Sequence, residues 1–181
     1  MIKRQFSRVE NIRFIVIMKM IFIIKETMQN LRSQMNTWLA KLEESGFRVT
    51  APRRAVVDIL LHSNLLLEPV DIFMQARNLS PGLGLVTVYR TLEKLEQLNL
   101  IQRVHNQDGC HSFIAASNGH QHLLICTKCH KAEYFSVDDL TPFMDTVGNQ
   151  RGYKITGHWL QLSGLCSDCQ KSYPEENVNE K

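Results

Sequence analysis

The chain has 181 residues, 44% hydrophobic and 22% charged, enough for one large domain or two small ones with a packed core, which excludes reliance on disulfides for stability. A formal net charge of +3 permits an anionic partner without demanding one, so the placement of charge matters more than its sum. Four of the five cysteines form two C-x-x-C pairs, which fits metal ligation better than a secreted disulfide scaffold; Cys110 is left over.

Residues 1–13 carry Lys3, Arg4, Arg8 and Arg13, and an apolar run, FIVIMKMIFII, follows at 14–24. This resembles the basic and apolar regions of a signal peptide, but Lys19 interrupts the run and no small-x-small cleavage site follows. The run is also too short to span a bilayer. Three readings stay open for residues 1–27: upstream sequence ahead of a start at Met28 or Met35, a disordered or helical arm, and a targeting segment. From Leu31 the pattern is helical, with Leu31, Met35, Trp38, Leu39 and Leu42 on one face and Gly46 to end it. A second helix is predicted from Thr50 as N-cap, with Pro52 in its first turn and Val56, Val57, Ile59, Leu60 and Leu61 apolar. A third spans Pro69 to Leu79, before the breaker Ser80-Pro81-Gly82.

The fourth helix is the informative one. Thr87 is predicted to N-cap VYRTLEKLEQL, with Val88, Leu92 and Leu95 inward and Tyr89, Arg90, Glu93, Lys94 and Gln97 outward. Asp108-Gly109 between LIQRVHN and CHSFIAA signals a hairpin. Three or four short helices and a hairpin make a winged helix-turn-helix pattern, with the fourth helix in the major groove and the hairpin as wing. HLLIC and AEYF then predict short strands, VDDLTPFMDTVGNQRG a helix, and YKITGHWLQLSG an alternating strand with His158, Leu160 and Leu162 on one face. The fold class expected is therefore α+β, a winged helix followed by a small α/β unit, and the polar residues 173–181 are predicted to be a disordered tail.

Cys126-Thr127-Lys128-Cys129-His130 is a C-x-x-C-H, which can attach a c-type haem or form half of a zinc site. The second pair, Cys166 and Cys169, favours zinc: four thiolates on two tight turns give tetrahedral S4 coordination that ties the end of the α/β unit to its start. Haem would leave that pair unused and require export, and neither pair is expected to open a helix after a βαβ strand as a redox pair would. His105, His111, His120 and His122 crowd around the wing and the next strand, with Cys110 and Glu133 nearby. His120 and His122 would share one face of a strand, and a turn at Asp108-Gly109 would fold His105 toward His111. A second, mixed-ligand zinc site is expected there; the plainer alternative is exposed or hydrogen-bonded histidines on a hinge. His62, His130 and His158 read as structural or surface residues. Arg48, Arg53, Arg54, Arg90, Lys94 and Arg103 offer phosphate contacts to double-stranded DNA. No Ser/His/Asp order, Gly-rich phosphate loop or carboxylate pair is present, so neither an enzyme nor a small-molecule substrate is expected.

In that order, GFRVTAPRRAVVDIL, LVTVYRTLEKLEQLNLIQRV, HQHLLICTKC and GHWLQLSGLCSDC resemble the ferric uptake regulator family over about residues 31–170. The resemblance implies a dimeric, metal-dependent repressor with a winged helix and an α/β dimerisation domain. The four knuckle cysteines would hold structural zinc. Tyr89 and Arg90, in the family's TVYR, would meet DNA, with Arg53, Thr87 and Lys94 completing the expected contact set. Iron-type members carry an H-H-D-H run that supplies two interleaved metal sites. Gly119-His120-Gln121-His122 keeps its second and fourth positions, which are implied to belong to the hinge regulatory site, and His158 matches the remaining histidine of the other site. RVHNQDGCHSFIAA resembles the zinc uptake regulators, whose wing histidine, His105 here, is a ligand; Ala115-Ala116 stands where those regulators use a cysteine.

The implied regulatory set is His105, His120, His122 and Glu133, with Cys110 and His111 in reserve. The expected domains are an extension at 1–27, a winged helix with wing and hinge at 28–115, the dimerisation and metal-binding unit at 116–172, and the tail. The expected protein is a cytoplasmic homodimer that represses zinc-uptake genes at operator DNA, holds a structural and a regulatory zinc, and has no membrane partner. An iron or peroxide sensor of the same family is the alternative; a zinc-binding interaction module without DNA activity and an exported haem protein are remoter ones.

Overall fold

The structure, a computed structural model, describes residues 3–105, 111–117, 119, 121–137, 139–158 and 160–172. Helix α1 runs from Lys3 to Glu44. Residues 3–27 lie within this helix, the helical-arm reading among those left open, and no proline or glycine breaks the sequence between Lys3 and Glu44. Gly46, at φ 77°, ends the helix: its N–H donates to the Glu43 carbonyl at 2.8 Å, and that of Phe47 to Leu42 at 2.9 Å. This pairing satisfies the last carbonyls and needs the left-handed backbone that glycine adopts freely.

Three short helices follow: α2 (Ala51–His62), α3 (Pro69–Leu79) and α4 (Leu85–Gln97). Thr50 holds the N-cap position of α2 but makes no side-chain cap bond. Helix α4 starts earlier than the sequence predicts, with Gly84 as N-cap. Thr87 lies inside its first turn, where its carbonyl accepts Thr91 Oγ1 at 2.7 Å. Trp38, Leu42, Val56, Leu60, Ile72 and Leu92 are among the residues that form one core at the centre of these helices. The wing closes that core with Ile101 and Phe113, one from each of its strands, β1 (Ile101–His105) and β2 (His111–Ala115), which pair antiparallel with His105 opposite His111. The predicted turn at Asp108-Gly109 lies outside the described residues.

A second sheet contains β3 (His122–Cys126) between β4 (Ala132–Phe135), antiparallel, and β5 (Gln161–Gly164), parallel. Parallel pairing demands a crossover, and α5 (Thr141–Arg151) lies within it; α6 (Ser167–Ser172) follows β5. The last strand is shorter than its alternation predicts, and His158 sits in the connection before it. The fold is α+β, a winged helix followed by a small α/β unit.

These two parts meet at a second apolar cluster, made of Leu66, Val104, Ile114, Leu123, Ile125 and Ala132, with Tyr134 packed against it. Residues 64–67 join the sheets on either side. Leu65 bridges to Lys131 and Leu67 to Phe113, while the Leu66 N–H donates to the His130 carbonyl at 2.9 Å. The Tyr134 hydroxyl lies 3.0 Å from the Ala115 carbonyl oxygen and 3.2 Å from Gln102 Oε1, and burial pushes its pKa up to about 12, so it serves this joint as a neutral donor.

Candidate metal centre and nucleic-acid interface

Cys126 ends β3 and Cys129 lies on the turn after it; Cys166 and Cys169 stand at the entrance to α6. The parallel register sets Cys126 opposite Gly164, so the ends of β3 and β5 emerge side by side and the two knuckles face each other. The four sulfurs lie within 4.8 Å of one another, Cys129 and Cys166 at 3.7 Å. Thiolates about 2.3 Å from a tetrahedral ion sit about 3.8 Å apart, whereas a disulfide needs about 2.05 Å, so the cluster fits a metal and not a pair of crosslinks.

The first knuckle is closed by His130, whose left-handed backbone (φ 60°) lets its N–H reach the Cys126 carbonyl at 3.0 Å. The backbone N–H groups of Cys129 and Cys166 draw the Cys126 thiol down to about 6, which readies a thiolate. Burial pushes Cys169 up to about 12, a shift that a bound cation would oppose.

A second group surrounds His122. Its buried ring lies 5.1 Å from that of His158 and 5.6 Å from that of Phe135. His122 and His158 line a cavity of about 170 Å³ with Asp139, Thr141 and Met144, where α5 begins. The two imidazoles and the Asp139 carboxylate share this cavity, but Asp139 Oδ1 accepts the Thr141 N–H at 2.8 Å, and among the described residues the four cysteines are the group whose ligand atoms converge as for a metal. On the wing, the His105 and His111 rings meet edge to face at 4.6 Å, and His111 Nδ1 is buried without a hydrogen-bond partner.

Helix α4 buries Val88, Thr91, Leu92 and Leu95 and presents Tyr89, Arg90 and Glu93 to solvent; Thr87 and Lys94 are half-buried. Val86 is 65% exposed at the amino end of the helix, a position the sequence pattern did not single out and one suited to a thymine methyl in the major groove. Arg53 is differently employed. Its guanidinium stacks 3.7 Å from the Phe47 ring centroid and donates to the Arg48 carbonyl, so it braces the start of α2.

Residues 44–163 match the sequence profile of the Ferric uptake regulator family. The chain belongs to this family. Fur-family proteins are metal-responsive, DNA-binding transcription regulators. The ferric uptake regulation protein of Neisseria meningitidis is 30% identical over 133 residues, covering 73% of this chain and 92% of its own. That of Legionella pneumophila is 33% identical over 132 residues, covering 72% and 96%. Among solved structures, the Helicobacter pylori ferric uptake regulator, described as having three functional metal-binding sites, aligns with a TM-score of 0.61 at 23% identity over 81% of this chain and 96% of its own. A zinc uptake regulator complexed with zinc and DNA aligns with a TM-score of 0.60 at 18% identity, over the same shares of 81% and 96%. At these identities the structures establish the fold alone, a winged helix followed by a small α/β unit.

Within this Fur-family chain, the described part of the expected regulatory set does not converge. His122 stands opposite Phe135 while Glu133 stands opposite Leu124, and the exposed Glu133 carboxylate pairs with Lys131 Nζ at 2.6 Å. His105 faces His111 across the wing and lines a cavity with Arg103 and with Gln161 of β5, while Leu66, Ile114 and Leu123 pack at the apolar part of the joint. His120 and Cys110 lie outside the described residues. His122 meets His158, which by itself read as structural and which the family resemblance matched to the remaining histidine of the other site. The parallel register, with Leu162 opposite Leu124, brings His158 back toward the start of β3.

Proposed function

We propose that this chain is a cytoplasmic, homodimeric repressor that binds operator DNA through α4 and responds to zinc, controlling genes for zinc uptake. The observation that carries the reading is the His122–His158 pair over a cavity it shares with Asp139, beside a separate four-cysteine cluster. Two donor sets of different hardness suit two roles: S4 for a structural zinc, and N/O for an exchangeable one. A zinc ion in the histidine cavity would supply positive charge that fixes the segment around Asp139 against His122 and His158. The chain's own residues carry the consequence onward. His122 opens β3, whose Leu123 and Ile125 pack on Val104 and Ile114 of the wing, and the wing follows α4. Iron sensing is the second reading, because the same N/O donors accept ferrous iron and the curated relatives at about 30% identity are ferric regulators.

Operator binding measured by fluorescence anisotropy at buffered free zinc or ferrous iron tests this. Zinc is expected to raise affinity about tenfold or more. His158→Ala should remove that response while leaving about one tightly held S4 metal per chain. Equal affinity with and without either metal would sink the sensing role, and a response to iron alone would reassign it. A second expectation concerns DNA contact. Arg90→Ala and Tyr89→Ala should each weaken operator binding by about 1–3 kcal/mol with unchanged melting temperature. Arg53→Ala should instead lower the melting temperature, because its head packs on Phe47.

A further inference from the structure

Of the features left over, the amino-terminal part of α1 is the most unusual. Ile15, Val16, Ile17, Met18, Met20, Ile21, Phe22, Ile23 and Ile24 follow one another around the helix, each between 41% and 61% exposed. The hydrophobic residues that seat α1 on the helical core come much later, at Met35, Trp38, Leu39 and Leu42. Residues 15–24 therefore present exposed apolar surface around the helix.

Its charge is as distinctive. Residues 3–26 contain six basic side chains (Lys3, Arg4, Arg8, Arg13, Lys19 and Lys25) and two acidic ones (Glu10 and Glu26). The whole chain carries +3, so the arm at +4 holds all of the excess and the remainder sums to −1.

We infer that this arm docks on an anionic lipid surface. Ten apolar residues in a helix cover about 15 Å, half the thickness of a bilayer core, so the segment lies in the interface and does not cross; no helix among the described residues is long and apolar enough to span a membrane. The basic residues before and after the apolar stretch sit at headgroup level, and Lys19 reaches back to it along its own stem. Two other occupants fit less well. A second copy of the arm would bring two like-charged helices together, and apolar surface all round provides no single seam for a coiled coil. DNA would match the basic residues and leave the apolar run in water.

This departs from the expectation of no membrane partner, and it is independent of which metal the protein senses. Co-sedimentation of the full-length protein with vesicles of phosphatidylcholine alone, or of phosphatidylcholine mixed with phosphatidylglycerol, tests it. Binding to the anionic vesicles is expected to exceed binding to the neutral ones about tenfold or more and to weaken with salt. The double variant Phe22→Asp/Ile23→Asp should lose it while keeping the wild-type melting temperature, since neither side chain touches the core. No sedimentation with anionic vesicles would overturn the proposal. So would equal sedimentation of wild type and variant, or arm-dependent self-association in place of vesicle binding.

Discussion

Cys126→Ser is expected to release the S4 metal and unfold the carboxy-terminal sheet while leaving the helical core standing. Cys126 is 4% exposed, closes the central strand, and accepts the Cys166 N–H on its sulfur at 3.3 Å. Apart from the joint with the wing, where Leu123, Ile125 and Ala132 are buried, the unit around it has little packing of its own. Its strands have four or five residues each, and the one residue of α5 that is buried is Gly148, which has no side chain to pack. A structural zinc contributes on the order of 10 kcal/mol in small zinc-binding units, comparable with the whole stability of a domain. The helical core stands apart, because its buried residues come from α1–α4 and the wing. Hydrogen exchange should show β3, β5 and α6 losing protection while α2–α4 keep theirs, with metal content falling by about one ion per chain. Retained metal with unchanged protection would refute the assignment.

Leu123→Ala is the second large effect, expected at about 2–5 kcal/mol of stability, because a fully buried leucine leaves a cavity that its neighbours fill only in part. Leu123 is 1% exposed and sits among side chains from the 64–67 segment, the wing and the sheet. The cavity therefore opens between the two halves of the protein rather than within one. Operator affinity should fall along with stability, and metal at the four cysteines should remain. Tyr134→Phe removes only the hydroxyl at the same joint and should cost about 1 kcal/mol. The comparison separates packing from hydrogen bonding: a Leu123→Ala protein as stable as wild type in chemical denaturation would mean that the joint is not a packed core.

Much of this arrangement is readable from local pattern. Val88, Leu92 and Leu95 repeat with helical spacing, and Pro69 and Ser80 bracket α3, so the winged helix emerges from periodicity and breakers alone. The two C-x-x-C pairs are equally legible, since only a shared ligand explains both. Contacts that depend on strand register were out of reach. Whether His122 faces Glu133 or His158 depends on which residue of β4 stands opposite it and on a parallel pairing to a strand many residues later. A one-residue change in register reverses such an assignment. The apolar joint was hidden for another reason: its members come from five separate segments, and each reads locally as ordinary strand or loop hydrophobicity. The stacking of Arg53 on Phe47 was likewise unreadable, because composition shows charge and not what a guanidinium touches.

The parallel pairing of β3 with β5 also sets an order in time. During synthesis the winged helix leaves the ribosome first, with every residue of its helical core already made by the time Phe113 emerges. Cys126 and Cys129 come next and wait for sulfur partners 40 and 37 positions away from Cys126 and Cys129 respectively to reach Cys166. Throughout that interval β3 has one edge without its neighbour and its thiols without a complete coordination shell. The nascent protein thus passes through a stage in which the winged helix is built and the four-cysteine cluster is not, so metal supply would act on the last step of folding.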